Sequence, residues 1–316
     1  MNIKIIMHIM PWELDHALLI ADKLKRSIYY IKPEDTIYLD TVLNLSSKII
    51  DWDKSSLKKQ YCIDKYNLLI NILKSKLVHS PKIFDSEEIY GHLNLQKEAV
   101  SSNIDSYISI CPDISFHEHL LYYLVESAKQ VNNEYFIITP QIFRCWDSSW
   151  DCLVHDKFKN VPCNQCIDID IHEIEHHMKD VDSPELKKID QFKFAGWFDL
   201  YNKNFYEKLV PVLPEWNGYG QWDLYAMNIC HIAKQYGVNV EEYVLKNQLI
   251  WFYDVGTLRN YKNYGDDGQL KTFYKNYLTL KLDRTSQKVN IEKNFKNHIR
   301  DWHNYAIENK IISSKN

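Results

Sequence analysis

The sequence predicts an α/β fold, with a mainly parallel sheet flanked by helices and a helical elaboration at the carboxyl end. Two observations carry this prediction. Apolar runs of strand length alternate with amphipathic segments through the first 145 residues, and no Pro-, Gly- or Ser-rich linker or internal repeat interrupts them. Strands that alternate with helices indicate a parallel sheet covered on both faces, whose ligands bind beyond the carboxyl ends of the strands.

The first element is the apolar run IKIIMHI, which predicts a buried strand at 3–9, and a helix follows over 11–28. Further strands are predicted at 35–46, 106–113 and 134–142, the last of them broken at Pro140. Helices are predicted at 54–76 and 115–131. Ser115 and Glu118 have the spacing of a capping box at the start of the last helix. Residues 78–104 are predicted to be irregular and polar.

After residue 145 the alternation weakens. The patterns predict a strand and turn at 192–202, a helix at 222–236, strands at 239–245 and 248–255, and a long helix at 290–309. One continuous domain over 1–265 is therefore expected, with halves at 1–145 and 146–265. The segment 266–316 is expected to be a helical extension packed on the same domain.

Composition excludes several classes of protein. The net charge of −4 provides no global basic field for nucleic acid. No apolar stretch is long enough to span a bilayer, and no signal peptide is evident. Seven scattered cysteines favour free thiols in a reducing compartment, so a cytoplasmic location is expected. The P-loop, GxGxxG, GxSxG and HExxH motifs are absent, which disfavours P-loop kinases, dinucleotide dehydrogenases and standard α/β-hydrolases.

One short stretch concentrates unusual residues. It reads LPEWNGYGQWDLYAMNIC and places Gly218 and Gly220, two of only eight glycines, directly before Asp223 and a predicted helix. Glycines let a backbone approach a ligand closely, and aromatic rings stack on flat ligands. Asp223 has two interpretations that the residues leave open: a catalytic or binding carboxylate, or a cap for the helix that begins there.

This order of parts resembles the GT-A fold of glycosyltransferases, a Rossmann-like fold. The resemblance covers the layout of residues 3–245 and rests on the strand that reads FAGWF and on the stretch from Gly218 to Asp223. It implies an enzyme, a hexosyl- or pentosyltransferase, that moves a sugar from a nucleotide-sugar donor to a hydroxyl acceptor. Asp223 would act as the general base. Acceptor contacts are implied for Trp197, Trp216, Tyr219, Gly220 and Trp222.

The resemblance places donor binding at the first strand–loop–helix unit. Pro11 would stiffen the loop there, Trp12 would stack on a ring, and Glu13 and Asp15 would bond a ribose or base; a capped helix start is the alternative reading. Asp113 and Gln141 follow or end later strands. Arg144 is the nearest cation that could offset the charge of the leaving diphosphate.

The metal motif of the family is displaced. Pro140 and Gln141 stand where the resemblance implies an Asp-x-Asp pair. We therefore expect that no metal cofactor is required, or that a divalent cation such as Mn²⁺ or Mg²⁺ contributes weakly. The alternative metal ligands are Asp147, Asp151, Asp168 and Asp170.

Two other functions stay open. Cys163, Cys166, His172 and His176 have spacings that could bind zinc in a hydrolase or nuclease, although the interval between the two pairs is short. A non-catalytic sugar-binding protein would keep the fold without activity. The expected acceptor is a carbohydrate, with a modified DNA base as the alternative. Affinity for duplex DNA is not expected, because acids interleave with the basic residues near the carboxyl end.

Overall fold

The computed structural model describes residues 1–55, 57–74, 77–88, 90–143, 166–167, 184–189, 197–212, 230 and 239–252. Within these residues, ten strands form one mixed sheet. The strands are β1 (Asn2–Ile9), β2 (Thr36–Asn44), β3 (Val78–Phe84), β4 (Ser106–Ile110), β5 (Ile114–Phe116), β6 (Tyr135–Phe143), β7 (Cys166–Ile167), β8 (Glu185–Ile189), β9 (Phe198–Asn202) and β10 (Val240–Phe252).

Five α-helices connect these strands in the described part of the chain. They are α1 (Leu14–Ser27), α2 (Lys59–Leu73), α3 (His92–Glu98), α4 (Leu120–Ala128) and α5 (Lys203–Leu209). Single 3₁₀ turns cover Pro11–Glu13, Ile28–Tyr30 and Val210–Val212. None of the described helices is long and apolar enough to cross a membrane.

The sheet runs in the order β3-β2-β1-β4-β9-β6-β10-β5, with β7 beside β6 and β8 beside β10. Its first half, β3-β2-β1-β4, is parallel throughout. In its second half, β9 runs antiparallel to both β4 and β6, while β6 and β10 are parallel. The predicted α/β fold, with a sheet flanked by helices, is confirmed.

The two faces of the parallel half have different chemistry. Because side chains alternate along a strand, Thr41 and Asp40 of β2 point to opposite faces. Thr41 bonds Tyr66 of α2 on one face. On the other, Lys4 pairs with Asp40 at 3.1 Å and donates to the carbonyl of Ala99, directly after α3. Helices therefore cover both faces of this sheet, which explains why β1 is an almost unbroken apolar run.

Residues 78–104 were expected to be irregular, and this expectation was wrong. β3 pairs in parallel with β2 along its whole length, and α3 begins at His92. β3 is the edge strand, so most of its side chains are exposed and it lacks the apolar pattern of a buried strand.

The helix expected at 115–131 begins later. α4 starts at Leu120 with His119 as its N-cap, and no side chain caps it. Ser115 instead lies in β5, opposite Trp251, where its Oγ accepts a hydrogen bond from Lys23. Glu118 accepts from the Tyr30 hydroxyl. The predicted capping box of Ser115 and Glu118 is therefore wrong, because strand pairing takes the serine.

Pro140 does not break β6, which continues to Phe143. The irregularity falls on the neighbouring strand: β10 pairs Leu245 with Pro140 and then Leu249 with Gln141, so three residues loop out between them. Proline has no N–H for the ladder, so regular pairing fails opposite it. Asn247 adopts a positive φ of 64° in the bulge, and its N–H donates to Gln141 Oε1 at 2.9 Å. The two strands expected at 239–245 and 248–255 are thus one bulged strand.

Several expectations lie outside the described residues. These are the helices at 222–236 and 290–309, apart from the helical Cys230, and the extension at 266–316. The division into two halves and an extension stays a prediction. Cys62, Cys111 and Cys230 are free thiols, as expected.

Candidate functional site

The candidate site lies at the carboxyl ends of β1 and β4. From β1 the chain continues to β2 and β3 on one side, and it then crosses to β4 on the other side. In an open α/β sheet, such a reversal of strand order leaves a crevice outside the carboxyl ends of the two strands. Ile6 of β1 pairs with Ser109 of β4, so β1 ends at Ile9, two residues beyond the level at which β4 ends at Ile110. The segments that follow them, from Met10 and from Cys111, border this crevice.

The segment after β1 is a 3₁₀ turn that starts at Pro11. Proline suits this position because its φ is already fixed and its missing N–H would have no partner in a helix start. The Glu13 carboxylate accepts from the Met10 N–H at 2.8 Å, and the Glu13 N–H donates to the Met10 carbonyl at 2.9 Å. Trp12 and Glu13 are both buried. The turn therefore holds Trp12 in place, and Glu13 positions the turn.

The segment after β4 meets the strand before α5. The Cys111 N–H donates to the Trp197 carbonyl at 2.9 Å, directly before β9 begins. Asp113 and Trp197 are both buried, at 5% and 4% exposure. The structure thus brings Trp197, expected on the acceptor side, to the strand end that also presents Asp113, expected on the donor side.

A buried polar cluster lies beside this crevice, at the ends of β1 and β2. The Asn44 amide donates to the Tyr90 carbonyl at 2.5 Å and contacts His8 Nε2 at 3.1 Å, and its oxygen accepts from the Ser46 N–H. Because the Asn44 nitrogen is a donor, His8 Nε2 accepts and the proton of the neutral ring sits on Nδ1. That Nδ1–H has no partner among the described residues, although His8 is 1% exposed.

Burial keeps the His8 ring neutral. Desolvation, reinforced by the nearby His92, lowers the pKa of His8 well below its ordinary value. The two rings lie 4.4 Å apart between centroids, and the Tyr90 ring stacks on Phe84 at 4.4 Å. His8 and Asn44 were not among the predicted site residues. Both could have been selected from the sequence, because they are polar residues at the carboxyl ends of apolar strands, where α/β folds bind ligands.

Two predicted donor residues are occupied elsewhere. Asp15 is 77% exposed at the side chain and forms an ion pair with Lys65 of α2. Gln141 lies on β6, which β9 separates from β4, and its side-chain oxygen holds the bulge at Asn247. These two contacts are sufficient to explain where the Asp15 and Gln141 side chains lie. They are evidence neither for nor against a role in donor binding.

The remaining predicted site residues lie outside the described part of the chain, except that Cys166 lies in β7, opposite Ile142. They are Asp223, Trp216, Tyr219, Gly220, Trp222, Arg144, Asp147, Asp151, Asp168, Asp170, Cys163, His172 and His176. Across the described residues, no group of three or more His, Cys, Asp or Glu side chains is arranged to hold a metal ion.

No protein-family model and no curated protein matches the chain. Solved structures do match. A complex of S. aureus TarS 1–349 with UDP-GlcNAc has a TM-score of 0.44 at 8% identity, over 98% of this chain and 73% of that one. GalNAc-T7 with UDP, GalNAc and Mn²⁺ has a TM-score of 0.40 at 12% identity, over 99% of this chain and 57% of that one.

Mouse xyloside xylosyltransferase 1 has a TM-score of 0.33 at 10% identity, over 67% of this chain and 72% of that one. The first two of these structures contain UDP-GlcNAc or UDP with GalNAc, and the third is named as a xylosyltransferase. TM-scores of 0.33–0.44 at such identities are too low to assign residues or substrates.

Proposed function

We propose that this chain is a glycosyltransferase that uses a nucleotide-sugar donor. The observation that carries the proposal is the reversal of strand order at β1 and β4, because Trp12 follows β1, Asp113 follows β4, and Trp197 bonds the segment after β4. Nucleotides bind at this position in open α/β sheets. Aromatic rings and carboxylates together suit a ligand that combines a flat base with the hydroxyls of a ribose and a sugar.

On the donor side, each side chain has a distinct role. Trp12 offers a face for stacking, and Glu13 keeps the Trp12 turn in place through its bond to the Met10 N–H. Asp113 accepts hydrogen bonds from ribose or sugar hydroxyls, as an ionised carboxylate does. The Nδ1–H of His8 is a neutral donor suited to a base carbonyl.

On the acceptor side, Asp223 is the general base. It removes the proton from the acceptor hydroxyl while that oxygen attacks the anomeric carbon and the nucleoside diphosphate leaves. Trp197, Trp216, Tyr219, Gly220 and Trp222 form the surface on which a carbohydrate acceptor lies, and Arg144 offsets the charge of the leaving diphosphate. Trp197 supports this arrangement because its carbonyl joins the carboxyl end of β4.

The described residues do not form a metal site, and Pro140 and Gln141 are part of strand β6. We therefore derive no step through a metal. Mn²⁺ is named with the GalNAc-T7 structure, and a weak contribution from a divalent cation is compatible with this proposal. We predict that transfer persists at least in part after EDTA treatment, measured as release of nucleoside diphosphate. Complete loss, restored by Mn²⁺ or Mg²⁺, would identify Asp147 with Asp151, or Asp168 with Asp170, as ligands to test.

Donor binding is the first test. A panel of UDP-, GDP-, CMP- and dTDP-sugars is screened by thermal unfolding, because a ligand that binds only the folded state raises its stability by about 2.7 kcal/mol at 100 times its Kd. We expect one nucleotide class to raise the Tm. No shift with any member of the panel would remove the donor half of the proposal.

The same screen separates the alternatives. A donor that binds but is never transferred or hydrolysed indicates a non-catalytic sugar-binding protein. Stoichiometric zinc in the purified chain, together with no donor binding, indicates the hydrolase built on Cys163, Cys166, His172 and His176. Binding to duplex DNA at physiological salt would make a modified DNA base the leading acceptor in place of a carbohydrate.

A further inference from the structure

A second cavity, of about 440 Å³, lies at the amino-terminal edge of the sheet. Its walls come from the turn before β2, from the first residues of β2 and from the segment that enters β3. Six apolar residues line it: Ile28, Ile31, Pro33, Ile37, Leu77 and Val78. The other four lining residues, Lys32, Asp35, Thr36 and Lys74, are polar or charged, so the lining combines apolar and polar surface. The volume of the cavity falls within the range of small-molecule sites.

The charged groups in and behind one wall compensate one another. The Asp35 carboxylate is 1% exposed and lies 2.6 Å from Lys129 Nζ and 2.8 Å from the Met1 amino group. Lys32 Nζ lies 2.5 Å from Glu126, which also contacts Lys129 at 2.7 Å. Asp35 therefore has enough cations around it, and Lys32 is already paired. Neither group requires a ligand of opposite charge.

Lys74 differs from these groups. It lines the same cavity from the end of α2, is exposed, and has no ion pair or hydrogen bond with the described residues. Glu34, the remaining acid of the turn, is not among the residues that line the cavity. Among the described lining residues, Lys74 is thus the cation that has no partner, and it shares the lining with Val78, which is 51% exposed.

We propose that this cavity binds an amphipathic anion, with the apolar tail inside and a carboxylate or phosphate at the Lys74 ammonium. The apolar lining favours a hydrocarbon tail because its burial removes apolar surface from water. The uncompensated cation selects an anionic head over a neutral or cationic one. The free amphiphile and a membrane lipid share this chemistry, and the experiment below separates them.

The cavity is independent of the proposed donor site. Thr36 and Asn44, at opposite ends of β2, are eight residues apart, which is about 26 Å along a strand. A nucleotide bound at the carboxyl ends of β1 and β4 does not reach the cavity. A negative result at this cavity would therefore leave the glycosyltransferase proposal unchanged, and a negative result for donor binding would leave the cavity proposal unchanged.

Calorimetric titration of the full chain with decanoate and with decyl phosphate tests it. We expect saturable binding at one site for both anions, and none for acetate or decyltrimethylammonium. Lys74→Glu and Val78→Glu should each weaken binding about fivefold to tenfold, which corresponds to about 1 kcal/mol for an exposed charge contact. Lys58→Glu is the matched control: it makes the same charge change at the other end of α2 and should leave binding unchanged.

Sedimentation with vesicles then distinguishes the sources of the anion. Binding to phosphatidylserine vesicles that Lys74→Glu weakens identifies a lipid, and binding to decanoate alone identifies a soluble amphiphile; both support the site. Absence of saturable binding, equal binding of the cationic amphiphile, or affinities that neither substitution changes would each overturn it. Unchanged far-ultraviolet circular dichroism and Tm establish that the variants are folded, and Lys74→Glu, at an exposed position, keeps the test decisive if Val78→Glu does not fold.

Discussion

The two halves of the sheet differ in how regularly their strands pair. In the parallel half, β3-β2-β1-β4, every strand pairs in one unbroken register with its neighbours. In the second half, β9 runs antiparallel between β4 and β6, and β10 loops out opposite Pro140. The regular half ends at the crevice with Trp12 and Asp113. The irregular half supplies Trp197 and leads towards the segment that carries Asp223.

This difference suggests a division of labour. A regular parallel half offers a rigid edge for binding a nucleotide, whereas the second half departs from regular pairing at Pro140 and Asn247. Irregular pairing and positive φ values in non-glycine residues are found near functional sites more often than elsewhere. Under the proposed function, substitutions in the first half should change donor affinity, and substitutions in the second half should change turnover.

The largest expected effect is at Asp223. Asp223→Asn should lower kcat about 10²–10⁴-fold, because the amide cannot accept the acceptor proton, while donor affinity stays close to that of the parent. The measurement is steady-state transfer combined with donor titration and a thermal unfolding curve. Near-normal turnover, or loss that tracks unfolding, would return Asp223 to the role of a helix cap.

Substitution of Trp12 tests the parallel half of the sheet, where we expect a change in donor affinity and not in kcat. Trp12→Ala should weaken donor binding by about 1–3 kcal/mol, the range for stacking of a base on an aromatic ring, and leave kcat at saturating donor largely unchanged. Trp12→Phe keeps a ring and should recover most of the affinity. Tyr61→Ala removes an exposed ring from α2 and serves as the control. A fall in kcat with unchanged donor affinity would contradict the proposed division.

Much of the parallel half could be predicted from the sequence because its signals are local. β1, β2 and β4 are apolar runs, and α1 has helical spacing, so each is recognisable within its own window. β3 was missed because it is an exposed edge strand that contains Pro81 and has no apolar pattern. Its pairing with β2, and not apolar burial, holds it in the sheet. α3 was missed because it is short and buries Gln96, whose amide donates to Ser109.

The second half could not be predicted to the same depth because its determinants lie far apart in the sequence. The bulge in β10 depends on Pro140, about a hundred residues earlier, and on the Gln141 oxygen that accepts from the Asn247 N–H. No window around Asn247 contains that information. The candidate site shows the same limit: Trp12 and Asp113 follow from the ends of predicted strands, but the contact of Trp197 with Cys111 depends on antiparallel pairing of β9 with β4.

Asn247 provides a test of the bulge itself. Asn247→Val places a β-branched residue at a φ of 64° and should destabilise the fold by about 1–3 kcal/mol. Asn247→Gly removes the same side chain but adopts that φ freely, so it should be neutral within about 0.5 kcal/mol. Urea unfolding of both variants measures the difference. Equal stabilities would mean that the backbone at Asn247 is not strained and that the irregular half is more regular than described.

The smallest expected effect concerns the outer edge of the parallel half. The Tyr66 hydroxyl donates to the Thr41 carbonyl at 3.0 Å, so the Thr41 hydroxyl, 2.5 Å away, donates to Tyr66. The Thr41 oxygen then accepts from His79 Nε2–H at 2.8 Å, which leaves His79 Nδ1 as an acceptor without a partner in the described residues. Burial lowers the pKa of His79 from 6.5 to about 4. The Nε2–H bond to Thr41 persists when the ring is protonated, so the pKa of His79 is lowered by burial of the charged ring and not by loss of this bond.

The consequence for stability has a definite sign. Between pH 6.5 and about 4, the unfolded chain binds a proton at His79 that the folded chain does not, so stability falls as the pH is lowered through this window and is constant above it. Because the ring is only half-buried, solvent screening limits the change to about 1 kcal/mol. In His79→Gln, the free energy of unfolding in urea should depend less on pH across this window than it does in the parent protein. Thr41→Val, which loses the hydrogen bonds but keeps the buried ring, should lower stability while preserving the slope; an unchanged slope in His79→Gln would assign the acid sensitivity to other groups.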